Sequence, residues 1–309
     1  MFSVIHFEGK TPGPRVLITA GVHGDEWLPM RVVRELARWL AEDEALRGAL
    51  RGRLTLIPVV HEAAFRRGHR CGPEGKDLAR TCPGRAEGGE TERVAHALSA
   101  QIQAADFYLD LHTGGRDLCV TPLAGYGLHR DAEVLAVQRR MARAFQLPLV
   151  WGTSAELEGR SLSVARDARV PAIYVEYLGG VAEQQEIARG VTRDHPCVQG
   201  CLNVLRELGA LAGEVSGAVE PQVIEDARPE SGHMQVCHPS PVTGFLRPLV
   251  ELNRWVEAGE PLAEVEPLEG GPSAVVTADQ AGLVVVRREV PQINAGDAVA
   301  VVAQSFPAA

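Results

Sequence analysis

The sequence predicts an α/β fold, a mainly parallel mixed sheet covered by helices, with a small all-β sandwich or barrel domain after it. Three observations carry that reading. Over the first two-thirds of the chain, short apolar runs alternate with stretches whose apolar residues recur at helical spacing. Strands buried on both faces, with helices covering them, leave that pattern. After about Gly213 it gives way to an acidic stretch containing Pro221 and Pro229. From Gly232 onward short Val/Leu runs are spaced by Gly and Pro, with no helical period. The expected organisation is an α/β domain over 1–213, a linker over 214–230 and an all-β domain over 231–309.

Each element follows from its local pattern. Residues 15–20 form an apolar run that stops at Gly21, a buried strand. From about Glu26 to Leu46, Leu28, Val32, Leu36, Trp39 and Leu40 recur as one face of a helix. Residues 54–60 are the next strand. Residues 61–89, rich in Gly, Arg and charge, read as a long irregular loop, and loops of that length in compact domains are functional or disordered. Thr91 to Gln103 reads as helix, 106–112 as strand, 131–145 as helix and 171–177 as strand. A further helix is expected from about Glu183 to Leu208.

Composition narrows the function classes. Lys+Arg number 31 against Asp+Glu 40, a net charge of -9, which lacks the basic face that phosphate contacts require. No run approaches the ~18 apolar residues of a spanning helix, and the first residues lack the basic and apolar regions of a signal peptide, so a cytoplasmic protein is expected. The cysteines Cys71, Cys82, Cys119, Cys197, Cys201 and Cys237 contain no CxxC pair and read as free thiols. Neither the P-loop pattern nor the GxGxxG fingerprint occurs, so nucleotide binding has no support.

Three polar sites fall where strands end: Gly21 to Glu26, Asp110 to Gly114, and Val175 to Tyr177. Ligands of open α/β sheets collect in the crevice outside the carboxyl ends of the strands. His23 and Glu26 are three apart at a loop-to-helix junction, so both side chains can point the same way. An HxxE pair alone is weak, since it occurs by chance in many helices. With His112 from a neighbouring strand end it makes a His/Glu/His set of the kind zinc accepts, its fourth position open to water. Such a site also takes other first-row ions. Glu176 would then be a free carboxylate beside the metal, able to take a proton from water and pass it to a leaving amine. Asp110 reads as a group behind the ligands or as a purely structural one.

These residues carry a resemblance. Gly-Val-His23-Gly-Asp-Glu26, Asp77-Leu-Ala-Arg80 followed by Pro83-Gly84, Asp110-Leu-His112-Thr and Val-Glu176-Tyr-Leu-Gly-Gly180 keep the order and rough spacing of motifs in the succinylglutamate desuccinylase/aspartoacylase family, a branch of the zinc carboxypeptidase-like fold. The likeness spans about residues 15–210. It implies one zinc per chain on His23, Glu26 and His112, and Glu176 as general acid and base. It implies Arg70 as the group that polarises the scissile carbonyl, and Arg80, with Asp77 in the same motif, on the substrate side. The family motif has Asn where this chain has Ala79, and often Asn where it has His61. Alanine offers no amide to a substrate carboxylate, so either the substrate differs or another group takes over that contact.

The C-terminal segment resembles the lipoyl/biotinyl-type β-sandwich that some members append. No lysine follows Lys76, so it cannot carry a lysine-linked cofactor, and covering the crevice or building an oligomer interface are the roles left to it. Other clusters read as structural: Cys71, Cys82, His61 and His69 match no common zinc spacing, while His195, Cys197, Cys201, Cys237 and His238 lie outside any catalytic set, and Asp25 shapes its loop.

The expected function is a zinc-dependent amidohydrolase acting on a small N-acyl amino acid or related amine. The alternatives are a metallopeptidase of carboxypeptidase type, a non-catalytic zinc- or carboxylate-binding protein, and a structural α/β protein without a metal. Neither nucleic acid nor membrane is an expected partner; a homo-oligomer is possible.

Overall fold

A computed structural model describes residues 2–304 apart from 230, 233, 235 and 236. Strands β1 (Ile5–Glu8) and β2 (Thr11–Ala20) open the chain, and α1 (Trp27–Glu42) follows the loop that begins at Gly21. Then come α2 (Glu44–Gly48), β3 (Arg51–Ile57), α3 (Glu62–Arg67), a single 3-10 turn (Leu78–Arg80) and α4 (Glu90–Gln103). Next are β4 (Phe107–His112), β5 (Leu118–Gly127), α5 (Ala132–Ala144), β6 (Leu149–Thr153), α6 (Ser161–Asp167) and β7 (Ala172–Leu178). Helices α7 (Gly180–Arg189) and α8 (Pro196–Glu207) precede β8 (Gln222–Glu225). The remaining strands are β9 (Gly244–Pro248), β10 (Trp255–Val256), β11 (Pro261–Pro267), β12 (Ala274–Thr277), β13 (Gly282–Arg288), β14 (Gln292–Ile293) and β15 (Ala300–Ala303).

The central sheet is mixed, in the order β1-β3-β2-β4-β7-β5, with β6 and β8 beyond β5. Strands β3, β2, β4 and β7 are parallel neighbours, so the carboxyl ends of β2, β4 and β7 share one edge. Side chains alternate along a strand. Val16, Ile18 and Ala20 of β2 therefore enter the core shared with α1, α5 and α8, whereas Leu17 enters the core shared with α4 and α6. Helices cover both faces, which is why the strands read as continuous apolar runs.

In the C-terminal region β12-β11-β9-β14 form a separate antiparallel sheet. Strand β13 pairs with β10 and β15, and its Val286 to Arg288 also pair with Leu118 to Val120 of β5. A core of Leu246, Val256, Val265, Val284 and Val302 fills the space between the two sets of strands.

Several local expectations differ from the structure. The single helix from Glu183 to Leu208 is two, because Gly190 ends α7 at φ 84° and Pro196, unable to donate inside a helix, starts α8 at its first turn. The helix expected to Leu46 stops at Glu42, where Asp43 caps the separate α2. The loop 61–89 contains α3 and the 3-10 turn, and residues 222–225 of the stretch read as linker pair with β6. Strands β5 and β6 and helix α6 were not expected; Pro122, Gly125 and Gly127 mask the strand pattern of β5.

Candidate active site and metal centre

The edge formed by β2, β4 and β7 gathers the polar strand ends. Gly21, at φ 69°, turns the chain out of β2 and delivers His23 and Glu26 to the start of α1. His112 is the last residue of β4, and the β4–β7 register sets it opposite Glu176. His23, Glu26 and His112 are buried, and their nearest ligand atoms all lie within 4.8 Å of one another. Among the described residues no other group of three His, Cys, Asp or Glu side chains converges in this way.

The donor set suits a divalent metal. Nδ1 of His23 lies 2.6 Å from Glu26 Oε1, and Nδ1 of His112 lies 2.9 Å from Glu26 Oε2. The far nitrogens face carboxylates: His23 Nε2 is 3.2 Å from Asp77 Oδ1, and His112 Nε2 is 3.2 Å from Asp110 Oδ2. A carboxylate facing Nε2 of each ring can hold a proton there, which leaves Nδ1 to face a metal, the arrangement in which histidine ligates one. Burial alone would raise the Glu26 pKa, but the two imidazoles outweigh it and hold the carboxyl well below the usual range. Asp110 is itself anchored, accepting from Thr19 Oγ1 at 2.7 Å and from Ser161 Oγ at 2.5 Å. It stands behind the His112 ring.

Glu176 is buried beside this set, and among the described residues its Oε2 has no hydrogen-bond partner. Burial, opposed by His112 and reinforced by the like charge of Glu26, pushes its pKa up to about 8. A carboxyl in that range exchanges a proton near neutrality.

Arg70 lies within reach of the same group. Its Nε donates to Asp77 Oδ2 at 3.0 Å, and its Nη1 is 3.4 Å from His23 Nδ1 and 3.8 Å from Glu26 Oε1. Asp77, grouped in the sequence with the substrate-side residues, has its oxygens engaged by protein: Arg70, His23 and the Ala79 N–H. Arg80 and Ala79 line a cavity that reaches His23, His112 and Glu176. Leu128, Leu157, Leu162 and Met234 supply apolar wall.

Arg160, at the start of α6, lines the same cavity and was missed in the sequence. Among the described residues its buried Nε and Nη2 have no partner, and burial together with the charges of Arg80 and Arg70 pushes its pKa down to about 10. No motif marks it among so many arginines, and its position depends on the unanticipated α6. The other clusters are structural. His195 accepts from the Cys197 N–H to cap α8, His61 packs against Thr91, and His238 contacts the Ala300 carbonyl and Asp279. Among the described residues no helix is long and apolar enough to cross a membrane.

Residues 12–202 match the model of the succinylglutamate desuccinylase/aspartoacylase catalytic domain. The N-alpha-acetyl-L-2,4-diaminobutyric acid deacetylase of Halomonas elongata is 31% identical over 298 residues, covering 94% of this chain and 82% of that protein. The product-bound structure of the ectoine utilization protein EutE (DoeB) from Ruegeria pomeroyi superposes with a TM-score of 0.79 at 28% identity, covering 98% of this chain and 88% of that one. A succinylglutamate desuccinylase/aspartoacylase structure from Rhodobacter sphaeroides shares the fold, with a TM-score of 0.82 at 24% identity over 99% of this chain and 89% of that one. The chain thus belongs to the succinylglutamate desuccinylase/aspartoacylase family and is, like its relatives, a deacylating hydrolase of amide bonds.

Proposed function

We propose that the protein is a zinc-dependent deacylase of small N-acyl amino acids, with His23, Glu26 and His112 as the metal ligands. The observation that carries this reading is the buried, unpartnered Oε2 of Glu176 in register with His112, beside two Nδ1 atoms turned toward one carboxylate. Zinc held by these three side chains supplies a Lewis acid that acidifies water and polarises a carbonyl. Glu176 accepts the proton of the attacking water at its free oxygen and returns it to the departing amine nitrogen. The Arg70 guanidinium, held by Asp77, faces the oxygen on which negative charge develops.

Arg160 and Arg80 hold the substrate carboxylate. The two unpartnered nitrogens of Arg160 form a ready fork for a carboxylate, so this residue takes over the contact that Ala79 cannot make. The Halomonas elongata relative is named for an N-acetylated amino acid, which favours an acetyl group and a small amine here.

The test pairs metal analysis with a panel of N-acetyl and N-succinyl amino acids and short peptides with free carboxyl termini. About one zinc per chain and turnover of an N-acyl amino acid is the expected result. Hydrolysis confined to peptides, or a protein that binds no added zinc, would overturn the reading.

A further inference from the structure

We propose that Glu183 is a positioning residue for the metal centre: from α7 its buried carboxylate caps the start of α1 and holds Thr113, and so keeps Glu26 and His112 in their convergent arrangement. This rests on the metal-centre reading above.

The argument begins at a helix end. The first N–H groups of a helix have no partner within it, and the N-cap side chain normally accepts from one of them. The N-cap of α1 is Glu26, and its side chain makes no cap bond because its oxygens face His23 and His112. Glu183, distant in sequence, supplies the acceptor. The Leu28 N–H donates to Glu183 Oε1 at 2.7 Å, and the Trp27 N–H also bonds this carboxylate. Burial pushes the Glu183 pKa up to about 8, against the pull of the bonds from Leu28, Thr113 and Trp27, so the cap rests on hydrogen bonds to the carboxyl rather than on its charge.

The other oxygen reaches the second ligand. Thr113 Oγ1 donates to Glu183 Oε2 at 3.1 Å and accepts from the Gly115 N–H at 3.2 Å, while the Thr113 N–H lies 3.4 Å from Glu26 Oε2. One side chain thereby joins the segments that follow β2, β4 and β7. The segments after β4 and β7 are also locked backbone to backbone, with Gly114 N–H to Leu178 O at 2.8 Å and Gly180 N–H to Gly115 O at 2.7 Å. Glu183 is 1% exposed and does not line the substrate cavity, so it acts through the ligands and not on the substrate. Burying a carboxylate opposes folding, and a residue needed for packing alone would be apolar. Without Glu183 the vacated N–H groups of α1 compete with the metal for the Glu26 carboxylate.

The experiment measures zinc affinity by competition with a chromophoric chelator, together with kcat and KM, for the parent protein, Glu183→Ala, Glu183→Gln and Val265→Ala. Glu183→Ala should weaken zinc binding about 10- to 100-fold and lower kcat more than it raises KM. Glu183→Gln retains an acceptor for the Leu28 N–H and should fall between the two. Val265→Ala, which opens the distant C-terminal core, should lower Tm and leave zinc affinity unchanged, separating lost stability from lost positioning. A folded Glu183→Ala protein with parental zinc affinity and kcat would overturn the inference alone. If Glu183→Ala does not fold, Glu183→Gln decides: about threefold or greater weakening supports the inference, and parental affinity overturns it. A parent that binds no zinc overturns this inference and the metal-centre reading together.

Discussion

His112 and Glu176 face each other across the parallel β4–β7 pair, the last residue of one strand beside the third-from-last of the other. The sheet register thus holds the imidazole proposed to ligate the metal and the carboxylate proposed to accept the proton in adjacent rows, on backbone that cannot shift without breaking ladder hydrogen bonds. Fixed placement of this kind is what proton transfer in a transition state requires.

Glu176→Gln keeps the shape of the side chain and removes its basicity. Zinc content should stay at the parental level while kcat falls by about 10²- to 10⁴-fold. Elemental analysis and steady-state kinetics on one preparation check both halves, and a fully active variant would remove Glu176 from the mechanism.

Metal removal should reveal a stabilising ligand. An ion that binds the folded state at 100 times its dissociation constant adds about 2.7 kcal/mol, which for a chain of this size is a Tm rise of about 4 °C. Chelator-treated protein should therefore melt lower and recover on adding zinc. His23→Ala and His112→Ala should show no such recovery in thermal melts.

Arg160 sets activity against stability. Two buried guanidinium nitrogens without a partner among the described residues oppose the stability of the free protein. Arg160→Met should raise Tm without substrate and raise KM for N-acyl amino acids about 10- to 100-fold, the loss of charged hydrogen bonds of about 1.5–3 kcal/mol. An unchanged KM would show that the carboxylate is held elsewhere.

The cap of α8 should make stability sensitive to acid. His195 Nδ1 accepts from the Cys197 N–H, which only the neutral ring can do, and burial lowers its pKa against the opposing pull of Glu186. A histidine with a depressed folded pKa is protonated more readily when unfolded, so its contribution is present above the unfolded pKa and is lost as pH falls through the folded one. His195→Asn supplies a cap that does not titrate. The Tm difference between parent and His195→Asn should move in favour of the variant between pH 7 and pH 5; parallel melting profiles would exclude the histidine as the source.

Much of this was legible in the linear chain. Apolar runs that stop at Gly21 or end on Asp110 and His112 mark buried strands with polar ends, because a strand covered on both faces has no other place for such residues. The types and spacing of His23, Glu26, His112 and Glu176 determined which chemistry was available, since nitrogen and carboxylate donors at neighbouring strand ends restrict the choice to a few ions and one proton carrier. The division of the last α/β helix at Gly190 and Pro196 was also written locally, in the two residues that end and start helices.

The tertiary structure decided what those groups touch. Asp77 turns toward Arg70 and His23, Asp110 stands behind His112, and Arg160 enters the cavity through a helix that no periodicity announced. Glu183 meets Leu28 across 155 residues of sequence. Such pairings arise because parallel strands bring distant crossover segments to one edge, so partners are chosen by strand order and register. Local patterns set which residues form strands and helices; which carboxylate meets which N–H is decided when the sheet closes.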